Sequence, residues 1–449
     1  MSNSFSYVLI CLCAGIAVIV LLTSKYKVHP FFALILSGFL VGLTVGLPLQ
    51  SVITFMKDGF GKILSSLGMI IVLGTTLGIL LEHTGSTKVM ASFILKKTGE
   101  QYAALAMSIS GFIVGLPIFC DSGFIVLSGL NKSLAKRTGI SVIIMSVSLA
   151  TGLYSIHCLI PPHPGAAAAA GIIGVDFGKL ILTGIIVAAP ASFAGYLWAN
   201  YAGKKLPVVF AAEEILLVDG TENKQQPSVI KAFLPVIVPI LLIALKSFIT
   251  TGESVANGLV DGFLTLGDPV IALSIGVLLA FNCKRGWQKN TVSLLLQDAA
   301  EKASGILVII GAGGAFGAVL SATKIGEHFS QSLALGSLGI LFPFLLTFIL
   351  KTAQGSSTVA IITSASIIQP LLPALGLASE QGHLLCVLSM GAGSMMISHA
   401  NDAFFWVIAK FSGLEMKAML KVYSVATIIM GLISFMIVYL LSLALPNPP

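Results

Sequence analysis

One stretch constrains the fold of this 449-residue chain more than any other: His157-Cys158-Leu159-Ile160-Pro161-Pro162-His163-Pro164-Gly165. It lies inside an apolar run from about Ile140 to Ile173, longer than the ~20 residues that cross a bilayer. Pro161, Pro162 and Pro164 remove backbone donors, so no continuous helix passes through. Interrupted backbone at membrane depth persists only where protein or a water-filled cavity covers it. Ionisable groups there mark a substrate or ion path. The plainer alternative is a proline kink with both histidines satisfied in a packed core.

That run is not isolated. The chain is 56% hydrophobic and 10% charged, with a mean hydropathy of +1.00, whereas a soluble domain carries about 25% charged residues. The composition implies an all-α polytopic membrane protein. Continuous rather than alternating apolar runs exclude a β-barrel. The net charge of +7 is carried between spans, where it marks topology and not a nucleic-acid site. The six cysteines lack zinc-ligand or thioredoxin spacing, so neither a metal site nor a disulfide framework is expected. No basic residue precedes the first apolar run, which reads as a retained span and not a cleaved signal peptide.

Apolar runs fall at about 6–24, 29–47, 63–82, 140–172 and 179–201, and again at about 232–249, 268–283, 303–322, 382–409 and 421–445. A polar stretch holding Glu213, Glu214 and Asp219 separates the sets. Residues 1–203 and 232–449 are therefore expected to be two transmembrane repeats joined by a cytoplasmic linker, 204–231. His29-Pro30-x-x-Ala33-Leu34 matches Asp268-Pro269-x-x-Ala272-Leu273, and Gly74-x-x-x-Gly78 matches Gly313-x-x-x-Gly317, both at an offset of 239. Phe112-Ile113 matches Phe348-Ile349, Gly152 matches Gly393, and Gly174-x-Asp176 matches Gly413-x-Glu415. Internal symmetry of this kind is a transporter signature.

Each half holds one further apolar segment, about 103–130 and 339–372, interrupted by Gly, Pro or polar residues. A re-entrant helical hairpin explains each, its tip meeting a broken helix at mid-membrane; two short full spans are the alternative. Five crossings per half make the repeats inverted. With Lys25 placed in the cytoplasm, 19 of the 25 Lys and Arg fall on or beside that side, in accord with the positive-inside rule.

The candidate chemistry lies at the interruptions. Asp121, with Ser122 and Gly123, sits at the first tip. A carboxylate in such surroundings must be paired, protonated or hydrated. It is a proton or substrate site, an N-cap for the following helix, or both. The second tip offers Gln354-Gly355-Ser356-Ser357-Thr358, where a helix start would aim N–H groups at an anion. Lys351, a turn earlier, either supplies a positive charge or snorkels to the surface. The second broken helix carries His399, Asn401 and Asp402. Asn401 suits polyol hydroxyls, and His399 and Asp402 can titrate; an interhelical polar lock is the alternative. Substrate contacts are thus expected from Asp121, Ser122, Gly123, His157, Pro162, His163, Lys351, residues 354–358, His399, Asn401 and Asp402. Proton coupling is expected from Asp121, His157, His399 or Asp402. Gly311-Ala312-Gly313-Gly314 lacks the strand and the Lys of a phosphate loop, so no nucleotide cofactor is expected. A channel would need a continuous polar path. A hydrolase using Cys120 or Ser155 with His157 would lack a nucleophile elbow.

At these residues the chain resembles the gluconate permease family of bacterial sugar-acid:proton symporters. The resemblance is carried by His29-Pro30, by 157–164, by Ile309 to Phe316, by Gly355-Ser356-Ser357-Thr358-Val359-Ala360 and by Ser398-His399-Ala400-Asn401-Asp402-Ala403. It implies proton-driven import of a small hydroxy-carboxylate through the bacterial inner membrane. The wider superfamily implies a homodimer and alternating access of elevator type. Gluconate carriers read Phe-x-Glu-Val-Gly-Phe at the first tip, where this chain has Phe119-Cys120-Asp121-Ser122-Gly123-Phe124. The shorter acid admits glycerate or another aldonate as substrate. A D-serine-like amino acid and sodium coupling remain the alternatives, although 398–402 is more similar to the gluconate members.

Overall fold

The computed structural model describes residues 5–206, 226–250, 262, 264–324 and 338–444, and all regular structure among them is helical. The first half runs α1 (Phe5–Val20), α2 (Pro30–Thr44), α3 (Leu49–His83), α4 (Ser86–Thr98), α5 (Ala103–Gly115), α6 (Cys120–Thr138), α7 (Val142–Leu159), α8 (Pro164–Ile173) and α9 (Phe177–Gly203). The second runs α10 (Val229–Thr250), α11 (Pro269–Phe281), α12 (Lys289–Ala322), α13 (Leu341–Gln354), α14 (Ser357–Ile368), α15 (Glu380–Met395), α16 (Ala403–Ser412) and α17 (Val425–Ala444), the last entered through Met416–Ser424. Most of the expected linker, 207–225 with Glu213, Glu214 and Asp219, lies outside the described residues.

From α2 and α11 onward the order of elements in the first half recurs in the second, except that the positions corresponding to α4 lie outside the described residues. Helices α2 and α11 have 15 and 13 residues, and α3 and α12 have 35 and 34. The matched sequence motifs have matched physical jobs. His29 and Asp268 each cap a helix whose first residue is proline, accepting from the N–H of Phe31 and Val270. Proline suits that position because its missing donor would have no intrahelical partner.

Two elements differ from expectation in extent. Helices α3 and α12 begin at Leu49 and Lys289, well before the apolar runs at 63 and 303. The early turns of α12 are polar and those of α3 are interrupted by Lys57, Asp58 and Lys62, so no unbroken apolar run registers them. In α12 the polar part is laced by spacings of four residues, Gln297 to Glu301 and Lys302 to Asp298, which support a solvent-facing helix.

The broken helix α7–α8 is the most enclosed element. In its apolar window 94% of residues are buried, against 33–61% in the other five long apolar helices. Around it lie α5, α6, α9, α14 and α15, and α3 packs directly on α8. Of the interrupted segments, α5, α13 and α14 have 13, 14 and 12 residues, each too short for a ~30 Å hydrocarbon core at about 1.5 Å per residue. Helix α6 has 19.

Close backbone approach seats each of these segments on its broken helix. A Cβ on Gly152 of α7 would lie 2.1 Å from the Ser108 carbonyl of α5, and one on Gly393 of α15 would lie 2.3 Å from the Phe344 carbonyl of α13. Only glycine fits, and the two contacts occupy equivalent places in the two halves. Replacing Gly152 by Val should therefore lower stability by about 1–3 kcal/mol through overpacking, read as a reduced melting temperature in detergent. Gly129→Ala, where an added Cβ meets nothing within 4 Å, should melt with the native protein.

Candidate functional site

Four helices begin where the chain is interrupted. Helix α6 starts after the first tip, Leu116 to Phe119; α8 after the first break, Ile160 to His163; α14 after the second tip, Gly355-Ser356; and α16 after the second break, Met396 to Asp402. Each therefore directs its N-terminal N–H groups toward its interruption, and together these ends carry positive partial charge. Ser356 caps α14 by accepting from Val359 N, and Asp402 caps α16 by accepting from Phe404 N. Helices α6 and α8 have no side-chain cap bond.

The interruptions meet one another. His163 Nε2 lies 2.6 Å from the Gly115 carbonyl, tying the first break to the first tip. Since a carbonyl only accepts, Nε2 carries the hydrogen. Thr358 Oγ1 lies 3.4 Å from His157 Nε2, tying the second tip to the helix before the first break. Asn401 Nδ2 donates to the Thr352 carbonyl at 2.7 Å. Gly355, at φ +80°, sits under Asn401 so closely that a Cβ would fall 2.1 Å from the Asn401 carbonyl. Tip and break are in backbone contact there.

Lys351 is fully buried and donates to Asp402 Oδ2 at 2.9 Å and to the Gly355 carbonyl at 3.3 Å. It does not snorkel. Asp402 Oδ2 also accepts from Ser398 Oγ, so both oxygens of this carboxylate are engaged. Asp121 differs. It lies in the first turn of α6 but caps nothing, and the Cys120 thiol at 3.9 Å is its hydrogen-bond partner. Among the described residues no cation pairs with it. Ser122 and Gly123 occupy the same turn, with Gly123 packed on Leu153.

Several polar atoms near these contacts are buried without a partner among the described residues: His157 Nδ1, both amide atoms of Gln354, Asn401 Oδ1 and the Tyr423 hydroxyl. Buried polar atoms are ordinarily satisfied, so this set marks a place for a polar guest or water. Two expected residues stand apart from that set. Pro162 packs on Gly74 of α3 and lines a narrow cleft with Thr75, Pro117 and Phe119. His399 is partly exposed, and its carbonyl receives the Asp402 N–H; no hydrogen bond or ring contact ties its imidazole to the others.

An aromatic cluster joins the halves and escaped sequence reasoning. The Tyr154 ring lies 6.3 Å from His157, 5.8 Å from Phe404 and 6.4 Å from Tyr423, and Phe124 lies 6.0 Å from Phe404. The Tyr154 hydroxyl donates to the Ser394 carbonyl at 3.2 Å. One signal was available: Tyr154 is a helical turn before His157 and shares its face. No group of three or more His, Cys, Asp or Glu side chains converges among the described residues.

Known proteins resemble this chain along nearly its whole length. The model of the GntP family permeases matches residues 7–444. A gluconate permease of Pseudomonas aeruginosa is 33% identical, with 99% of each chain covered. A D-serine transporter of Escherichia coli is 30% identical, covering 98% of this chain and 99% of its own. Among solved structures, the YdaH transporter of Alcanivorax borkumensis superposes with a TM-score of 0.65 at 14% identity, over 94% of this chain and all of that one. That likeness concerns the fold. Six helices among the described residues are long and apolar enough to cross a membrane. The chain belongs to the GntP permease family and is a multi-pass membrane transporter, not an enzyme.

Proposed function

We propose that the protein imports a small hydroxy-monocarboxylate of the gluconate type across the bacterial inner membrane, with a proton as the coupled ion. The observation that carries this is the pairwise contact of four half-helix N-termini, α6 with α8, α8 with α14, α14 with α16 and α16 with α6, beside a carboxylate, Asp121, that has no cationic partner among the described residues. Helix N-termini favour anions, and in secondary transporters such ends face anionic substrate groups. Helices α14 and α16 already carry their own caps. The substrate carboxylate is therefore assigned to the ends of α6 and α8. Its hydroxyls fall to Thr358 and to the unpaired atoms of His157, Gln354 and Asn401, which between them donate and accept.

Asp121 supplies the coupling. An ionised Asp121 and an anionic substrate repel in a site of low dielectric. Protonation of Asp121 removes that repulsion, so anion and proton bind together. The shared order of elements and the recurring offset support two repeats of opposite orientation. In that arrangement α5–α6 and α13–α14 are re-entrant hairpins, and α7–α8 and α15–α16 are helices broken at mid-membrane. Elevator motion of this core against α3 and α12, within a homodimer, completes the reading. A second reading rests on the same unpaired Asp121. The ammonium of a D-serine-like amino acid would satisfy it with no proton.

Counterflow in proteoliposomes separates the two readings. Gluconate or glycerate should exchange at least tenfold faster than D-serine at equal concentration; preference for D-serine would select the second. A protonophore should abolish accumulation of the preferred acid. A requirement for sodium, with no protonophore effect, would remove the proton.

The same reading makes a sharper demand on one side chain. Asp121→Asn keeps shape and most hydrogen bonding but cannot release a proton. Concentrative uptake should fall at least tenfold in this variant while exchange of labelled for unlabelled substrate persists. Normal pH-driven accumulation would move the coupling role to His157 or His399.

A further inference from the structure

Each hairpin is tied to the broken helix of its own half by a contact at the same place, made with different chemistry. In the first half His163, the N-cap of α8, meets the carbonyl of Gly115, the last residue of α5. In the second half Asp402, the N-cap of α16, meets the ammonium of Lys351 in the last turn of α13. The repeat relates these partners residue by residue. His163 and Asp402 stand at the offset of 239 that separates Gly174 from Gly413, and Gly115 and Lys351 at the offset of 236 that separates Phe112 from Phe348.

We propose that Lys351 and Asp402 form a charge-neutral clasp, the counterpart of His163 on Gly115, that holds the second hairpin tip on the second break throughout transport. Neither residue then contacts the substrate or carries the coupled proton. Both are positioning residues. Lys351 has no exposed surface, and its donors reach Asp402 and the Gly355 carbonyl within the same tip. Asp402 has no spare oxygen: Oδ1 accepts from Phe404 N–H, and Oδ2 accepts from Lys351 and from Ser398. The backbone continues the seam, with Asn401 donating to the Thr352 carbonyl and Gly355 fitted under Asn401. Ser398 is in turn anchored to the last helix, its N–H donating to Thr427 Oγ1 at 3.0 Å and its carbonyl accepting from Ser424 Oγ. The inference rests on the transport reading above only for its kinetic arms.

A double-mutant cycle on the full-length protein tests the clasp. Lys351→Met leaves Asp402 buried without its cation, and Asp402→Asn leaves the ammonium without its anion. Each should lower the maximal uptake rate at least tenfold and lower the melting temperature in detergent, because a buried charge stripped of its partner is the costly state. The double variant removes both charges. Asn still caps α16, and Met fills the lysine stem. It should melt above either single variant and recover uptake to within about threefold of native, with KM and protonophore sensitivity unchanged. A double variant that melts no better than the singles overturns the clasp, and this readout needs no substrate. If the substrate reading alone is wrong, uptake of the tested acid fails for the native protein while the melting cycle still shows recovery. A well-folded double variant with KM raised more than tenfold would assign Lys351 to the substrate. One that exchanges without accumulating would assign Asp402 to the proton path.

Discussion

Hydrocarbon offers no hydrogen bonds, and that fact governs this molecule. Wherever the chain stops being helical inside the membrane, its freed N–H and C=O groups must find partners within the protein. Among the described residues four interruptions of the helical chain are brought together. The Gly115 carbonyl is taken by His163, the Thr352 carbonyl by Asn401, and the Ala400 carbonyl by Trp406 Nε1. The polar residues at the breaks are first of all the solvent for an interrupted backbone. What they leave unsatisfied is what a transported molecule can use.

The two halves solve this problem with the same geometry and different charges. In the second half the residues at tip and break are a lysine and an aspartate that neutralise each other away from water. In the first half the equivalent places hold a glycine carbonyl and a histidine, so no fixed charge is present. The first tip instead carries Asp121, whose carboxylate is partly buried and lacks a cation among the described residues. A buried ion pair adds little net stability but is costly to break, which suits a fixed seam. A lone carboxylate responds to any cation or proton that arrives. On the proposed reading, this asymmetry between the halves separates holding from responding.

Much of the fold was legible in the chain because its strongest signals are local. Three prolines in nine residues interrupt a helix wherever they occur. His29-Pro30 and Asp268-Pro269 read as helix starts because cap and proline act within one turn. Gly152 and Gly393 could be matched as a pair, but the carbonyls they approach, in Ser108 and Phe344, could not. The first turns of α3 and α12 were missed because charged residues interrupt their apolar pattern; side-chain pairs support those of α12, and the two long helices pack along each other. Tyr154, Phe124, Phe404 and Tyr423 were missed for the opposite reason. Aromatic residues are unremarkable in an apolar run until the halves are folded together.

The sequence by itself determined that this chain lives in a membrane and where several of its helices break, and its longer motifs carried the resemblance to its family. The first follows from composition and the second from spacing within a turn. Only the tertiary structure decided how the polar groups at the breaks are shared. Lys351 and Asp402 are 51 positions apart, and His157 and Thr358 are 201 apart; no local pattern pairs them. Lys351 read equally well as a substrate ligand or a snorkelling residue, and Asp121 as a cap or an unpaired acid. Partner choice across a buried interface depends on which backbones approach within contact distance. That is set by the packing of the whole core and not by the neighbours of either residue.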